Sequence, residues 1–379
     1  MSSFNESLND LNSTRIPYFS RSQVEDLFDK FQNDDHFVLD PNVVGDIWLR
    51  SGGHPATVCL CGQFIRDRLP VLLDDQTRHV SFTAWKRCTV EELYQWIGLN
   101  PAYKRMLQAF PSENPDSEGS RSILFLSYRF FGSLDPVRIL PDELYFSESL
   151  MAKGVLTGTQ PNYRIASAFV DSFVRKTLLT ARFPKRPDDA PPVIDGKIDA
   201  LDAIKKATRR FDWGLLYHSD GAPLRQGLYD TELARILMNW MNTSEGWSAT
   251  SDWHSGTIGM HSYIIIKKGT PPAEHTIVIA VLATRDAAFA HLRLLGLIEY
   301  KELMGADEAW LVQYSREDDF RKIWRSYDPL EKGVNVIYFQ HGVYFPRNKM
   351  SARWKDAQGQ THKILKEASK VSVIPESRL

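Results

Sequence analysis

Apolar positions recur at helical spacing through the first half of the chain and give way to short continuous apolar runs in the second. Ser20–Arg21–Ser22–Gln23 reads as a helix entry capped by Ser20 or Ser22, with Val24, Leu27, Phe28 and Phe31 following on one face. Pro41 opens a second helix with Val43, Val44, Ile47 and Trp48 inward. Gly52–Gly53–His54–Pro55 breaks it before a third helix, Ala56 to Leu69. Further helices are predicted over Val90–Ile97, Pro101–Phe110 and Ser120–Phe131, with another starting near Leu140. Lys153 to Ala166 reads as a hairpin turning at Gly158–Pro161, and Ser167–Leu179 as a closing helix with Phe169, Phe173 and Val174 on one face.

Beyond the Pro- and Asp-rich stretch Pro184–Pro192 the pattern changes. A helix over Leu224–Trp240 precedes the strands Tyr263–Ile266 and Thr276–Ala283. The second of these is apolar throughout, as a strand buried on both faces should be. A helix over Arg285–Leu303 follows, then strands at Glu308–Tyr314, Val334–Phe339 and Met350–Lys355. This order is that of an α/β sandwich. With 379 residues the chain exceeds one ordinary core. The expected layout is a disordered lead-in (1–19), a helical segment (20–82), helices ending in a winged-helix-like hairpin (83–183), a linker (184–200), the α/β domain (201–362) and a tail (363–379).

Composition narrows the function classes only a little. Hydrophobic residues make up 43% and charged residues 25%, which is globular material. Forty-six basic and 47 acidic residues give a net charge of -1, so only a local patch can speak for nucleic acid. Cys59, Cys61 and Cys88 are too few for a disulfide framework, and Cys59-x-Cys61 has no second pair to complete a zinc site. No secretory signal and no run of membrane-spanning length is visible, so an intracellular, non-membrane protein is expected.

One patch is basic. Ser172–Arg210 holds ten basic and five acidic residues, a net charge of +5. Arg175, Lys176, Lys185, Arg186, Lys205, Lys206, Arg209 and Arg210 are the candidate phosphate contacts, set against the plainer reading of a solvated linker.

The second half carries a more specific pattern. Ala280–Thr284, then Glu299–Val312 with Lys301, Gly305, Asp307 and Trp310, then Arg316–Asp319 and Lys332–Phe339, resembles the C-terminal domain of Crinkler-type proteins of early-diverging fungi. Gly53–His54–Pro55 resembles the signature in the helical lid of the STAND-type ATPase in that family, and Met151–Phe183 resembles its winged-helix end. The resemblance implies an ATPase lid over 20–82, a winged helix, and a restriction-endonuclease-like domain over 201–362. It also implies an effector acting in a nucleus or a host cell.

The departures from that pattern bear on activity. No G-x-x-x-x-G-K-[ST] loop is present, so no ATP hydrolysis is expected from the chain alone. The resemblance places the acids of the nuclease centre at Glu232, at or beside Ser262, and at Ala280, with the usual lysine at Leu282. Serine and alanine cannot hold a hard cation. His254 and His261 lack a second ligand at a converging spacing; the plain reading is a surface turn for His254 and a strand-face hydrogen bond for His261.

The expectation is thus a Crinkler-like effector or regulatory protein without cofactor or metal, acting through DNA or a protein partner. Two other readings stay open. One is a metal-dependent endonuclease using Mg²⁺ and relocated acids, with Asp252, Glu274 or Glu299 converging on Glu232. The other is a structural subunit pairing with a separate, intact P-loop ATPase.

Overall fold

The computed structural model describes residues 18–74, 76–108, 110, 118–180, 183–212, 225–256, 259–269, 274–283, 286–315, 328–341, 347–356 and 358–370. The lead-in to residue 17, Arg182 and the run Arg316–Asp319 lie outside these. The chain divides into two compact units, Met1–Ser122 with Leu134–Val174, and Ile123–Ser133 with Arg175–Leu379.

The first unit is mainly helical. Ser20 caps helix α1 (Arg21–Asp35) in a reciprocal capping box with Gln23, and Val24, Phe28 and Phe31 are its buried face. Asp40 caps α2 (Pro41–Ser51) by accepting from the Asn42 amide, and Gly52 ends it at φ 61°. Helix α3 (Pro55–Leu72) is buried along most of its length. Strands β1 (Val38–Leu39), β2 (Leu73–Asp74) and β3 (His79–Val80) form a small sheet in the order β1-β3-β2 that sequence periodicity does not announce. Helices α4 (Phe82–Cys88), α5 (Tyr94–Gly98) and α6 (Pro101–Gln108) complete this part.

A buried charge network ties α2 to α4. Asp46 accepts from Arg50 Nε at 2.6 Å and Trp85 Nε1 at 2.8 Å, with Lys86 Nζ 3.8 Å away. Aromatic rings extend the same core. Tyr94 stacks on Phe169 at 4.8 Å, and Tyr103 meets Phe173 edge-on at 5.2 Å. The three cysteines are free and buried, and burial followed by the nearby Asp46 pushes the Cys61 thiol up to about 12. Cys59 and Cys61 lie two apart on α3, a spacing that turns their side chains away from each other.

Helix α7 (Glu118–Arg129) belongs to the second unit from Ile123 onward. In the first unit β4 (Val137–Arg138) and helix α8 (Leu144–Ala152) lead into a hairpin of β5 (Leu156–Thr159) and β6 (Asn162–Ile165). The hairpin stands where the sequence predicts it, and β4 adds a third strand in the order β4-β6-β5. Helix α9 (Ala168–Val174) follows.

The predicted linker is not one. The division falls between Val174 and Arg175, and residues 183–200 pack within the second unit. Arg235 Nη1 and Asn239 Nδ2 donate to the Phe183 carbonyl, and Trp240 Nε1 donates to that of Asp189 at 2.7 Å. A hairpin of β7 (Val193–Ile194) and β8 (Lys197–Ile198) turns at Asp195–Gly196, both at positive φ. Helices α10 (Ala200–Arg209) and α11 (Gln226–Met241) come next.

The centre of the second unit is a seven-stranded sheet in the order β15-β14-β13-β12-β11-β10-β9. Its strands are β9 (Trp247–Gly256), β10 (Gly259–Lys268), β11 (His275–Leu282), β12 (Glu308–Ser315), β13 (Asn335–His341), β14 (Arg347–Lys355) and β15 (Thr361–Lys370). β11, β12 and β13 run parallel, and the remaining neighbours are antiparallel. Helix α12 (Ala287–Met304) connects β11 to β12. Every residue of β11 is buried, as its apolar run requires.

Two strands go beyond the expected five. β9 precedes the strand predicted first, and β15 lies largely in the stretch predicted as a tail. Helix α11 shares a core with Ile264, Ile266, Ile277, Ile279 and Val281 on one face of the sheet. On the other face, α12 brings Tyr300 against Tyr263 at 4.5 Å.

Candidate functional site

Two places carry residues that the sequence singles out, one in each unit. In the first, the Gly52–Gly53 turn closes α2 and His54 caps α3. Gly53 is at φ 76°, and a Cβ there would sit 2.3 Å from the Phe19 carbonyl oxygen, so only glycine fits. The amides of Gly52 and Gly53 both donate to the Trp48 carbonyl. A phosphate cradle needs free amides, and these two are engaged in ending a helix.

His54 Nδ1 lies 3.3 Å from Thr57 Oγ1, whose oxygen also meets Tyr103 Oη at 2.7 Å. Burial holds the His54 imidazole below its ordinary value and pushes the Tyr103 phenol up. The ring borders a cavity of about 420 Å³ whose wall also carries Asn100 and Lys153.

In the second unit, strand alternation decides what the predicted nuclease positions can do. Ser262 shares a sheet face with Ile264, on the side of α11. Its hydroxyl accepts from Arg175 Nη2 at 3.3 Å, and Arg175 Nη1 donates to Asp230 Oδ2 on α11 at 3.1 Å. Arg175 is 1% exposed and Asp230 is 3% exposed. The guanidinium also faces the Trp253 ring at 5.9 Å.

Ala280 and Leu282 alternate with Ile279 and Val281, so their side chains lie on the α12 face. Ser262, Ala280 and Leu282 therefore do not meet at one site. Glu232 is absent from it as well. Its carboxylate accepts two bonds from Arg235, at 2.9 and 2.5 Å, and one from the Asp212 amide at 2.7 Å. Asp230, two residues earlier on the helix, is the acid that reaches toward Ser262.

The relocated acids do not converge on Glu232 either. Asp252 is fully buried on the α12 face, where Tyr300 Oη donates to it at 2.8 Å. Glu299 lies 3.8 Å from His254, and Glu274 pairs with Lys267 at 3.0 Å. His254 is not on a surface turn: it is 2% exposed on β9 with its ring 4.9 Å from that of Tyr300. His261, on β10, is half-buried and edge-on to Phe289 at 6.1 Å. Among the described residues no three His, Cys, Asp or Glu side chains are grouped as a metal site. The residues at the implied Mg²⁺ positions do not fit a hard cation: Glu232 is held by Arg235, and a hydroxyl and a methyl group take the places of the other two acids.

The basic segment is largely occupied within the fold. Arg175 is buried in the ion pair with Asp230. Lys206 bridges Asp189 at 2.5 Å and Asp202 at 3.0 Å, and Arg210 bridges Asp188 at 2.5 Å. The bond to Lys206 raises its pKa and lowers that of Asp189. Arg186 donates to the Asn239 carbonyl at 3.2 Å, and Lys185 to that of Phe211 at 3.5 Å. Lys176 and Lys205 are half-buried, and Arg209 is exposed with no partner among the described residues. Three of the five acids counted only as a charge offset in the sequence, Asp188, Asp189 and Asp202, are ion-pair partners within this segment.

No helix among the described residues is long and apolar enough to cross a membrane. Neither a protein-family model nor a curated protein matches the chain.

Proposed function

We propose that this chain is a Crinkler-like effector or regulatory protein that acts by binding a nucleic acid or a protein partner. In this reading the first unit is a helical ATPase lid joined to a winged helix. The second unit is a restriction-endonuclease-like scaffold that no longer cuts. What carries the reading is Arg175. A metal-dependent nuclease of this fold holds a cation between carboxylates of two adjacent strands, often assisted by an acid of the first helix. Here a guanidinium spans from Asp230 to Ser262 and supplies a positive charge from within the chain.

The engagement of Glu232 by Arg235, and the location of Asp252 and Glu299 on the other sheet face, weigh against relocated acids. Incubation of the purified protein with plasmid DNA and Mg²⁺ or Mn²⁺ tests the point. The plasmid is expected to stay intact. Metal-dependent cutting that disappears in Glu232→Ala or Asp230→Asn would overturn the reading.

A further inference from the structure

One end of the seven-stranded sheet is a long antiparallel ribbon, β14 paired with β15. Residues 347–370 include seven basic residues (Arg347, Lys349, Arg353, Lys355, Lys363, Lys366, Lys370) and two acidic ones (Asp356, Glu367), a net charge of +5 in a chain whose total is -1. The ribbon is two-sided. Met350 and Ala352 are buried in the core shared with α11, and Trp354 and Ile364 pack against it. By alternation Lys349, Arg353 and Lys355 share the opposite face of β14, with Lys363 directly across from Arg353. All four are exposed.

The acids do little to offset them. Asp356 serves the turn between the strands: it accepts from the amides of Gln358 and Gln360 at 3.0 and 2.8 Å and meets the His362 ring at 2.7 Å. The His362 contact, followed by those amides, holds its carboxyl below the usual range. Asp328 reaches Arg353 at 2.6 Å. Lys349, Lys355 and Lys363 form no ion pair with a described residue.

Lysines often guard a free sheet edge against pairing with another chain. That role accounts for charge on β15, the outermost strand. It does not account for charge on β14, which has a partner on each side. Asp328 offsets the Arg353 charge, and Lys349, Lys355 and Lys363 are left as the cations that a polyanion would neutralise.

We propose that the β14–β15 ribbon docks on the phosphate backbone of duplex DNA through Lys349, Arg353, Lys355 and Lys363. This rests on the binding reading above and gives it a surface and a partner. A two-stranded ribbon has dimensions that suit a duplex groove. The aromatic pair of the ribbon, Trp354 stacked on His362 at 5.2 Å, packs on the core-facing side. Among the described residues the cationic face carries no exposed ring on which single-stranded bases stack, and this favours duplex over single strand.

Fluorescence polarisation of a short labelled duplex with the full chain tests the inference. Three variants accompany the parent: Lys349, Lys355 and Lys363 all changed to Gln; the same three changed to Arg; and a control with the exposed first-unit residues Lys30→Gln and Lys104→Gln. The Gln triple is expected to weaken duplex binding about tenfold or more and to flatten the salt dependence by roughly 2–3 in log–log slope. The Arg triple and the control should bind like the parent. Circular dichroism of each variant reports folding. Parental binding left unchanged by the Gln triple overturns the ribbon as the surface while the binding reading stands. Tighter binding of a single strand than of the duplex overturns the choice of partner. No duplex binding by the parent removes the nucleic-acid arm of the proposed function together with this inference.

Discussion

His54 caps α3 without a side-chain cap bond; its half-buried ring meets the Thr57 hydroxyl, which in turn meets Tyr103. That placement has a measurable cost. Burial keeps the folded imidazole below its ordinary value of 6.5, whereas the unfolded chain takes up a proton near that value. The unfolded state therefore binds more protons as pH falls below about 6.5, and stability declines in that direction. The urea midpoint is expected to drop between about pH 7.5 and pH 5.5, and to drop less in His54→Gln. An equal drop in both proteins would show that another group titrates. The sequence marks this residue through the glycines beside it. It does not mark the Thr57–Tyr103 pair, since Tyr103 arrives from a helix 46 positions away. Arg175 was equally hidden: among ten basic residues nothing in the local pattern sets apart the one that pairs with an acid 55 positions on.

At the scale of elements, legibility follows whether a strand or helix buries apolar side chains at its own period. Helix α1 and strand β11 do, and the start of the first and both ends of the second are predicted within a residue or two. β9 does not. It buries Ser251, Asp252 and His254 beside Trp253, so a core strand reads as a polar connection. β15 carries the sequence THKILKEASK, whose charges suit an edge but mask its pairing. The polar character of β9 hides which face of β10 and β11 helix α11 covers, and alternation makes a shift of one residue a change of face. The polar interior of β9 also yields a test. In Tyr300→Phe, Asp252 loses a donor at 2.8 Å in a fully buried place, for an expected loss of about 1–2 kcal/mol by urea denaturation. A variant as stable as the parent would mean that the carboxylate gains nothing from that hydroxyl.

On the scale of the whole molecule, each unit has its own core and its own buried charges. The first depends on Asp46, which is 1% exposed by side chain and faces both Arg50 and Lys86. Asp46→Ala removes the carboxylate and leaves those two cations buried, at a cost of about 3–5 kcal/mol. Native-state hydrogen exchange should register the loss in α2 and α3, while the amides of β11 in the second unit keep their protection. Equal loss in both units would show that they unfold as one body. The two-part layout is legible in the sequence as a change of period from helical to strand-like. The position of the division is not, because residues 183–200 look like a linker in composition yet bond to α11 through backbone carbonyls that composition does not display.

The Arg175 guanidinium also decides what a second carboxylate placed beside it would do. An aspartate arising at position 262 would meet a fixed cation already in place, and the newcomer would be neutralised before an ion from solution could reach it. Removing the arginine first would strand Asp230 in an apolar wall. Arg175 and Asp230 are thus coupled: neither side chain can be exchanged without changing the charge that the other faces.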